Sequence, residues 1–384
     1  MGNIVLAGLF FDTNLGDQAI AESTEYLVKD SLKNQDVVLD KIDLYGRKKI
    51  ENNSNILVDK VRFHIRRMKY GPNEYELARL KKLCEKYISK DTKCIIFTGG
   101  GLIKYKYQLI FSRAIEMITD FANKNNVPVM FCGVGIEGYD ENDVECQRLK
   151  KVINSDCVKV ITTRDDIECL SNNYVDSATI KTALVADPAC VISGLHKIKN
   201  TKNKRVGLGV VRGRLFVDNG INADEDALIA LYSSLYQEIK SRGYEPIIYT
   251  NGLGADQIFA EKLKKHLEIT LNVNAEVANR PTTVEELCKI ICSFDALICA
   301  RLHSSIIAYS YGVPSIGIVW NEKQRMFGKI IGYPERFIDY SNSTVSDTMK
   351  AFEKAVDEEY RNIDKDNFVK TTRNEIEAFL QKYV

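Results

Sequence analysis

The stretch Phe294-Asp-Ala-Leu-Ile-Cys-Ala-Arg-Leu-His-Ser-Ser-Ile-Ile-Ala-Tyr-Ser-Tyr-Gly-Val-Pro-Ser-Ile-Gly-Ile-Val-Trp-Asn-Glu-Lys323 decides the architecture of this chain. Its opening residues are nearly all apolar, which reads as a buried strand of a parallel sheet. A helical run from Ser304 to Tyr311 follows after only a few residues. Between the two sits Arg301-Leu302-His303. A permanent cation and a titratable imidazole thus stand at the carboxyl end of a strand and the amino end of a helix, where outward-pointing backbone N–H groups favour an anion. Gly312-Val313-Pro314 ends the helix and Ser315 to Val319 reads as the next strand, giving a βαβ crossover with a polar tip. The plainer reading of that tip is a surface arginine beside a helix-capping histidine.

The same alternation extends upstream. Arg205 to Val211 reads as a strand, with Arg212-Gly213-Arg214 at its carboxyl end, the ligand-facing edge of an open α/β sheet. Helices are expected over Asp224 to Ser241, Ala255 to Leu267 and Val284 to Cys292, with a strand from Glu245 to Tyr249. Arg212 and Arg301 therefore stand at strand ends that could face one cleft. Beyond Trp320 two more helices are read, Val345 to Glu358 and Asn367 to Tyr383.

His196 to Lys204 is polar, basic and without apolar periodicity, so a domain boundary is expected there, between α/β domains over 1–195 and 205–384. The length of 384 residues fits two cores better than one. In the first half, Asn3 to Leu9 reads as a strand, followed by a loop through Asn14-Leu15-Gly16 and a helix with Asp17 as its N-cap. Asp36 to Ile42 and Lys93 to Thr98 read as strands, and Glu74 to Ser89 as a helix. Gly99-Gly100-Gly101 then lets the backbone approach a ligand or a neighbouring strand, and Leu102 is expected to lead into a helix ending near Asn125. No Gly-Lys-Ser or Gly-Lys-Thr follows, so this is no P-loop. Gly133-Val-Gly-Ile-Glu-Gly138 matches the dinucleotide pattern by letter, but on a middle strand, and no nucleotide is expected there. Val158 to Thr162 is a further strand, Arg164-Asp165-Asp166 opens a helix, and Asp187 before Pro188 sets a turn.

Composition narrows the function. With 45% hydrophobic and 27% charged residues and a net charge of +1, the chain is globular and has no general pull toward nucleic acid, so no nucleic-acid partner is expected. No run is long enough to span a bilayer, and the N-terminus enters a strand without a basic leader or an apolar core. The ten cysteines are scattered through apolar segments without a Cys-x-x-Cys, as reduced buried thiols in a cytoplasm would be, and no metal is expected. Lys60 to Lys69 carries five basic and no acidic residues. As a helix it is compatible with docking on an anionic membrane surface, or with a solvated face packed on its domain.

Arg301-Leu302-His303 in its strand-helix context, Gly312-Val313-Pro314, Lys323 and the Asn14-Leu-Gly-Asp17-x-Ala19-Ile20 pattern together resemble the polysaccharide pyruvyl transferase family. Arg164-Asp165, Asp187-Pro188 and the glycine-rich turn at Gly100 and Gly101 match family positions as well. The resemblance implies a glycosyltransferase-B-like fold, two Rossmann-like α/β domains facing a cleft, with the C-terminal helix returning to the first domain. It also implies a donor, phosphoenolpyruvate, whose pyruvate becomes a ketal across two hydroxyls of a sugar. On this basis the first domain takes the acceptor and the second the donor. Donor-binding positions fall on Arg301, Leu302, His303 and Arg212, with Arg214 adjacent and Ser304 and Lys323 beside them. His303 is the expected catalytic acid, and Asn14, Asp17, Gly100 and Gly101 are expected to line the acceptor side. No cofactor is implied. The resemblance further implies as acceptor a cell-surface polysaccharide precursor, in some members carried on polyprenyl diphosphate, which would bring the protein to the inner face of the membrane through Lys60 to Lys69. A nucleotide-sugar-dependent glycosyltransferase of the same architecture, or a catalytically silent relative, are the alternatives.

Overall fold

The computed structural model describes residues 2–11, 14–33, 37–48, 72–106 and 110–384. The basic segment Lys60 to Lys69 lies outside the described residues. The chain divides into two compact units. One comprises Met1–Thr13, Ile20–Pro188 and Lys370–Val384, the other Asn14–Ala19 and Ala189–Val369. The division falls at Pro188 and Ala189, ahead of the basic stretch at 196–204, and each unit also takes a short piece from the far side of it.

In the first unit a parallel sheet runs β2-β1-β3-β5-β6-β7: β1 (Asn3–Gly8), β2 (Val38–Asp43), β3 (Cys94–Phe97), β5 (Val129–Ile136), β6 (Val158–Thr163) and β7 (Lys181–Leu184). A short β4 (Gly100–Ile103) pairs with β5 off this path. All eight residues of β5 are buried, as expected of a central strand covered on both faces. The helices include α1 (Leu15–Leu32), α2 (Pro72–Tyr87), α3 (Ile110–Asn125) and α4 (Val144–Ile153). In α3 the buried Ile110, Phe111, Ala114, Ile115, Ile118 and Ala122 recur at helical spacing and make one apolar stripe. Phe97 and Phe131, on adjacent strands, stack with ring centroids 4.4 Å apart.

Two local expectations are corrected here, and the reading of a third stretch stands. Asp17 does not cap α1. Asn14 does, its Oδ1 accepting the Gly16 N–H at 2.7 Å while its Nδ2 donates to Asp17 Oδ2 at 2.9 Å. Leu102 belongs to a strand, because Gly100–Ile103 finds backbone partners along β5 and the helix begins only at Ile110. The Gly133 to Gly138 letters lie largely within β5, which runs on to Ile136, so they form no strand-turn-helix cradle.

The second unit has its own parallel sheet, ordered β10-β9-β8-β11-β12-β13: β8 (Arg205–Gly209), β9 (Glu245–Tyr249), β10 (Glu276–Val277), β11 (Ala296–Cys299), β12 (Ser315–Val319) and β13 (Phe337–Asp339). Its longer helices are α5 (Glu225–Ser241), α6 (Gly254–Leu271), α7 (Val284–Cys292), α8 (Leu302–Tyr311), α9 (Glu322–Ile330) and α10 (Thr344–Glu358). Val206, Leu208, Ile248, Ile298, Ile316 and Ile318 form the centre of its core. The winding reverses between β8 and β11, which are paired in register through Gly209 and Cys299. A crevice at the carboxyl ends of two such strands is where open α/β sheets hold ligands. The last helix, α11 (Asn362–Tyr383), begins among second-unit residues and from Lys370 onward belongs to the first unit, as the expected returning helix does.

Candidate functional site

Both arginine-bearing loops leave the second sheet at this reversal. After β8 the chain reaches Arg212, Gly213 and Arg214; after β11 it reaches Arg301 and the start of α8. Arg301 is the N-cap residue of α8, with extended backbone at φ −97° and ψ 121°. The helix therefore starts at Leu302, two residues before the sequence reading, and His303 sits in its first turn. First-turn N–H groups lack intrahelical acceptors and carry the positive end of the helix dipole, so this tip attracts an anion by backbone as well as by side chain.

Arg301 is organised from below. Its Nε and Nη2 each donate at 2.9 Å to the carboxylate of Asp256, a residue with no solvent exposure in the first turn of α6. Asp256 Oδ1 also accepts the backbone N–H of Arg212 at 3.0 Å. Arg212 and Arg214 differ sharply in exposure, at 47% and 84% of their side chains, and both approach Asp218, at 3.9 and 3.8 Å. Of the two, Arg212 is the one whose backbone is tied to the Arg301 pair. A hollow lined by Arg212, Gly213, Arg214, Asp218 and Glu225 opens beside this loop.

The other expected residues are distributed unevenly. Ser304 is fully buried and donates its hydroxyl to Asn251 Oδ1 at 2.6 Å, so it braces α8 against the loop after β9 and does not present its side chain to a ligand. Lys323 lies half-buried in the first turn of α9, following β12 at the same sheet edge. Gln324 beside it is buried and ties the strand ends together, donating to Ala300 O at 3.1 Å and Ile318 O at 3.0 Å and accepting from Trp320 N–H at 2.9 Å. Asn14 and Asp17 belong to the second unit, and Gly16 between them packs on His303: a β-carbon at position 16 would lie 2.3 Å from Nδ1. Leu15 packs close by, against Gly252 in the loop after β9. Gly100 and Gly101 belong to the first unit, in β4.

Asp256, Gly16 and Gln324 were not legible as site residues, since an acid in a first helical turn, a loop glycine and a helical glutamine are common on any surface. Cys299, behind Arg301, is a packing residue: its Sγ lies 3.3 Å from Ser305 Oγ and burial pushes its thiol up to about 11. Among the described residues no group of three or more His, Cys, Asp or Glu is arranged to hold a metal ion. Among them too, no helix is long and apolar enough to cross a membrane.

Solved structures with this fold include the UDP-GlcNAc 2-epimerase of Methanocaldococcus jannaschii, with a TM-score of 0.63 at 11% identity over 99% of this chain and 100% of that one. A trehalose-6-phosphate synthase, OtsA, aligns with a TM-score of 0.57 at 9% identity over 100% and 99% of the two chains. An α,α-trehalose-phosphate synthase (UDP-forming) from Burkholderia vietnamiensis gives 0.53 at 9% identity over 100% and 97%. At such identities the likeness is one of fold, that of glycosyltransferase-B-like enzymes with two parallel-sheet α/β domains. No curated protein matches the sequence significantly. The model of the family described as polysaccharide pyruvyl transferase, in contrast, matches residues 14–322, a span that takes in the Asn14 to Asp17 turn, both arginine loops and His303, and on that evidence the chain belongs to this family.

Proposed function

We propose that the protein transfers pyruvate from phosphoenolpyruvate to two hydroxyls of a sugar, forming a ketal and releasing phosphate, during synthesis of a cell-surface polysaccharide such as a capsule or exopolysaccharide. The observation that carries this reading is the convergence of Arg301, His303 and Arg212 on the reversal point of the second sheet. A small ligand with a carboxylate and a phosphate matches that set, because a guanidinium pairs with either group through two hydrogen bonds.

In the proposed reaction His303, as imidazolium, gives its proton to the methylene carbon of phosphoenolpyruvate. The electron pair of the double bond forms the new C–H bond and leaves an oxocarbenium-like centre. One sugar hydroxyl adds to that centre, the bond from carbon to the phosphate oxygen breaks, and a second hydroxyl closes the ketal. Of the two hydroxyl protons, one restores His303 and the other leaves with phosphate. Arg301 and Arg212, with Leu302 contributing backbone N–H, hold carboxylate and phosphate and stabilise the charge as phosphate departs. Lys323 and Arg214 add positive charge at the same edge, and Asn14 and Asp17, beside His303, meet the acceptor. No cofactor and no metal take part. The acceptor sugar is galactose or an N-acetylhexosamine by family analogy, with polyprenyl diphosphate as a carrier that would draw the protein to the membrane. Ten cysteines, nine of them buried, support a reducing cytoplasm as the compartment.

Thermal unfolding with phosphoenolpyruvate, and separately with nucleotides and nucleotide sugars, tests the donor, since a ligand bound only by the folded state raises its stability. Phosphoenolpyruvate is expected to raise the wild-type midpoint and to leave that of Arg301→Ala unchanged. A rise with a nucleotide alone would overturn the reading in favour of a glycosyltransferase.

A further inference from the structure

Asp256 links the two arginines of the site and has no role in the reading above. It is 45 residues from Arg301 in sequence and wholly enclosed. Oδ2 accepts from Arg301 Nε at 2.9 Å, and Oδ1 accepts from Arg301 Nη2 at 2.9 Å and from the Arg212 backbone N–H at 3.0 Å. One carboxylate therefore sets the plane of one guanidinium and the backbone from which the other springs. Nη1 of Arg301 takes no part in these bonds, so its two N–H donors, of fixed direction, remain for a ligand.

The pairing also has an electrical consequence. The charge of Arg301 is compensated at contact distance, so a small anion arriving there gains little from attraction alone and depends on hydrogen bonds whose directions are preset. We propose that Asp256 is a positioning residue that sets the specificity of this site: it makes the site select a ligand with two anionic groups at a defined spacing over inorganic phosphate. A site with an uncompensated arginine pair would be held by the phosphate that the proposed reaction releases. The identity of the favoured ligand rests on the phosphoenolpyruvate reading; the discrimination against free phosphate does not.

The test is calorimetric titration of wild type, Asp256→Asn and Asp256→Glu with phosphoenolpyruvate and with inorganic phosphate, after circular dichroism and an unfolding curve show each variant folded. Asp256→Asn is expected to bind inorganic phosphate about tenfold more tightly than wild type, a modest share of the attraction of an uncompensated unit charge, and phosphoenolpyruvate no more tightly. Asp256→Glu keeps the charge but displaces the guanidinium, and is expected to weaken phosphoenolpyruvate without tightening phosphate. A phosphate affinity that is unchanged or reduced in Asp256→Asn overturns the proposal, as does loss of both ligands in equal proportion, which a purely structural role would give. If wild type fails to bind phosphoenolpyruvate, the donor reading falls while the phosphate comparison still decides the role of Asp256. Should Asp256→Asn not fold, an unchanged phosphoenolpyruvate affinity in Asp256→Glu overturns the proposal.

Discussion

Gly16 lies against the imidazole of His303 so closely that a β-carbon there would stand 2.3 Å from Nδ1 and 2.4 Å from Cγ. The glycine is needed for close approach and not for a special backbone conformation. Gly16→Ala must therefore push the ring or the Asn14 to Asp17 turn aside. Because displacement of a reacting group by about 1 Å can cost on the order of 10²-fold, turnover is expected to fall at least about tenfold with little change in unfolding temperature. Gly254→Ala, whose added carbon would meet nothing nearer than 3.8 Å, is the control and should keep full turnover.

His303→Ala removes the proposed proton donor while leaving Arg301 and Asp256 in place. Steady-state assay should show turnover reduced about 10²- to 10⁴-fold, the usual worth of a general acid, with phosphoenolpyruvate still bound. Near wild-type turnover would exclude the role given to this histidine.

In the first unit Arg164 forms a buried ion pair with Asp187, their side chains only 6% and 2% exposed. Taking away one member of such a pair removes from the other its counter-charge at contact distance. Asp187→Ala is thus expected to lose about 3–5 kcal/mol in urea unfolding, and Arg164→Met with Asp187→Leu together considerably less. Equal losses in the single and double variants would mean that packing, and not charge, is what the pair provides.

Asp165 next to it has Oδ1 accepting from Ile136 N–H, Asp166 N–H and the Thr163 hydroxyl, while Oδ2 is buried without a partner. Burial raises its carboxyl above the ordinary 3.8. With the folded value above the unfolded one, the group contributes stability below pH 3.8 and loses it as pH rises through the folded value. Denaturant unfolding at a series of pH values should accordingly show Asp165→Asn gaining on wild type as pH increases through that window. A difference that is flat with pH would contradict the shift.

Burial pushes the thiols of Cys84, Cys94, Cys132, Cys157 and Cys292 up to about 12, so none supplies thiolate near neutrality. Cys169 is the one cysteine that is not fully buried. Reaction of native protein with a thiol-exchange reagent at pH 8 should label Cys169 first, and the rest at the rate of global unfolding. Rapid labelling of Cys299 would show that the layer behind Arg301 opens.

The sequence by itself determined the two α/β alternations, because unbroken apolar runs such as Ala296 to Cys299 bury on both faces wherever they are placed. It also determined the polar tip of Arg301, Leu302 and His303 and the arginine loop at Arg212, since residues at the carboxyl end of a parallel strand must emerge at one edge. Its motif resemblance pointed to the family and to the returning terminal helix. What only the tertiary structure decided is the setting of those groups. Asp256 meets Arg301 because α6 and β11 stand on either side of the reversal, a juxtaposition that no local periodicity encodes. Asn14–Ala19 joins the second unit and sets Gly16 on His303, although the sequence reads it as part of the first domain. Ser304, a plausible anion ligand by position, faces inward to Asn251. Strand and helix arise from short-range patterns, whereas these ion pairs and close contacts arise between segments whose proximity exists only once the second unit has folded.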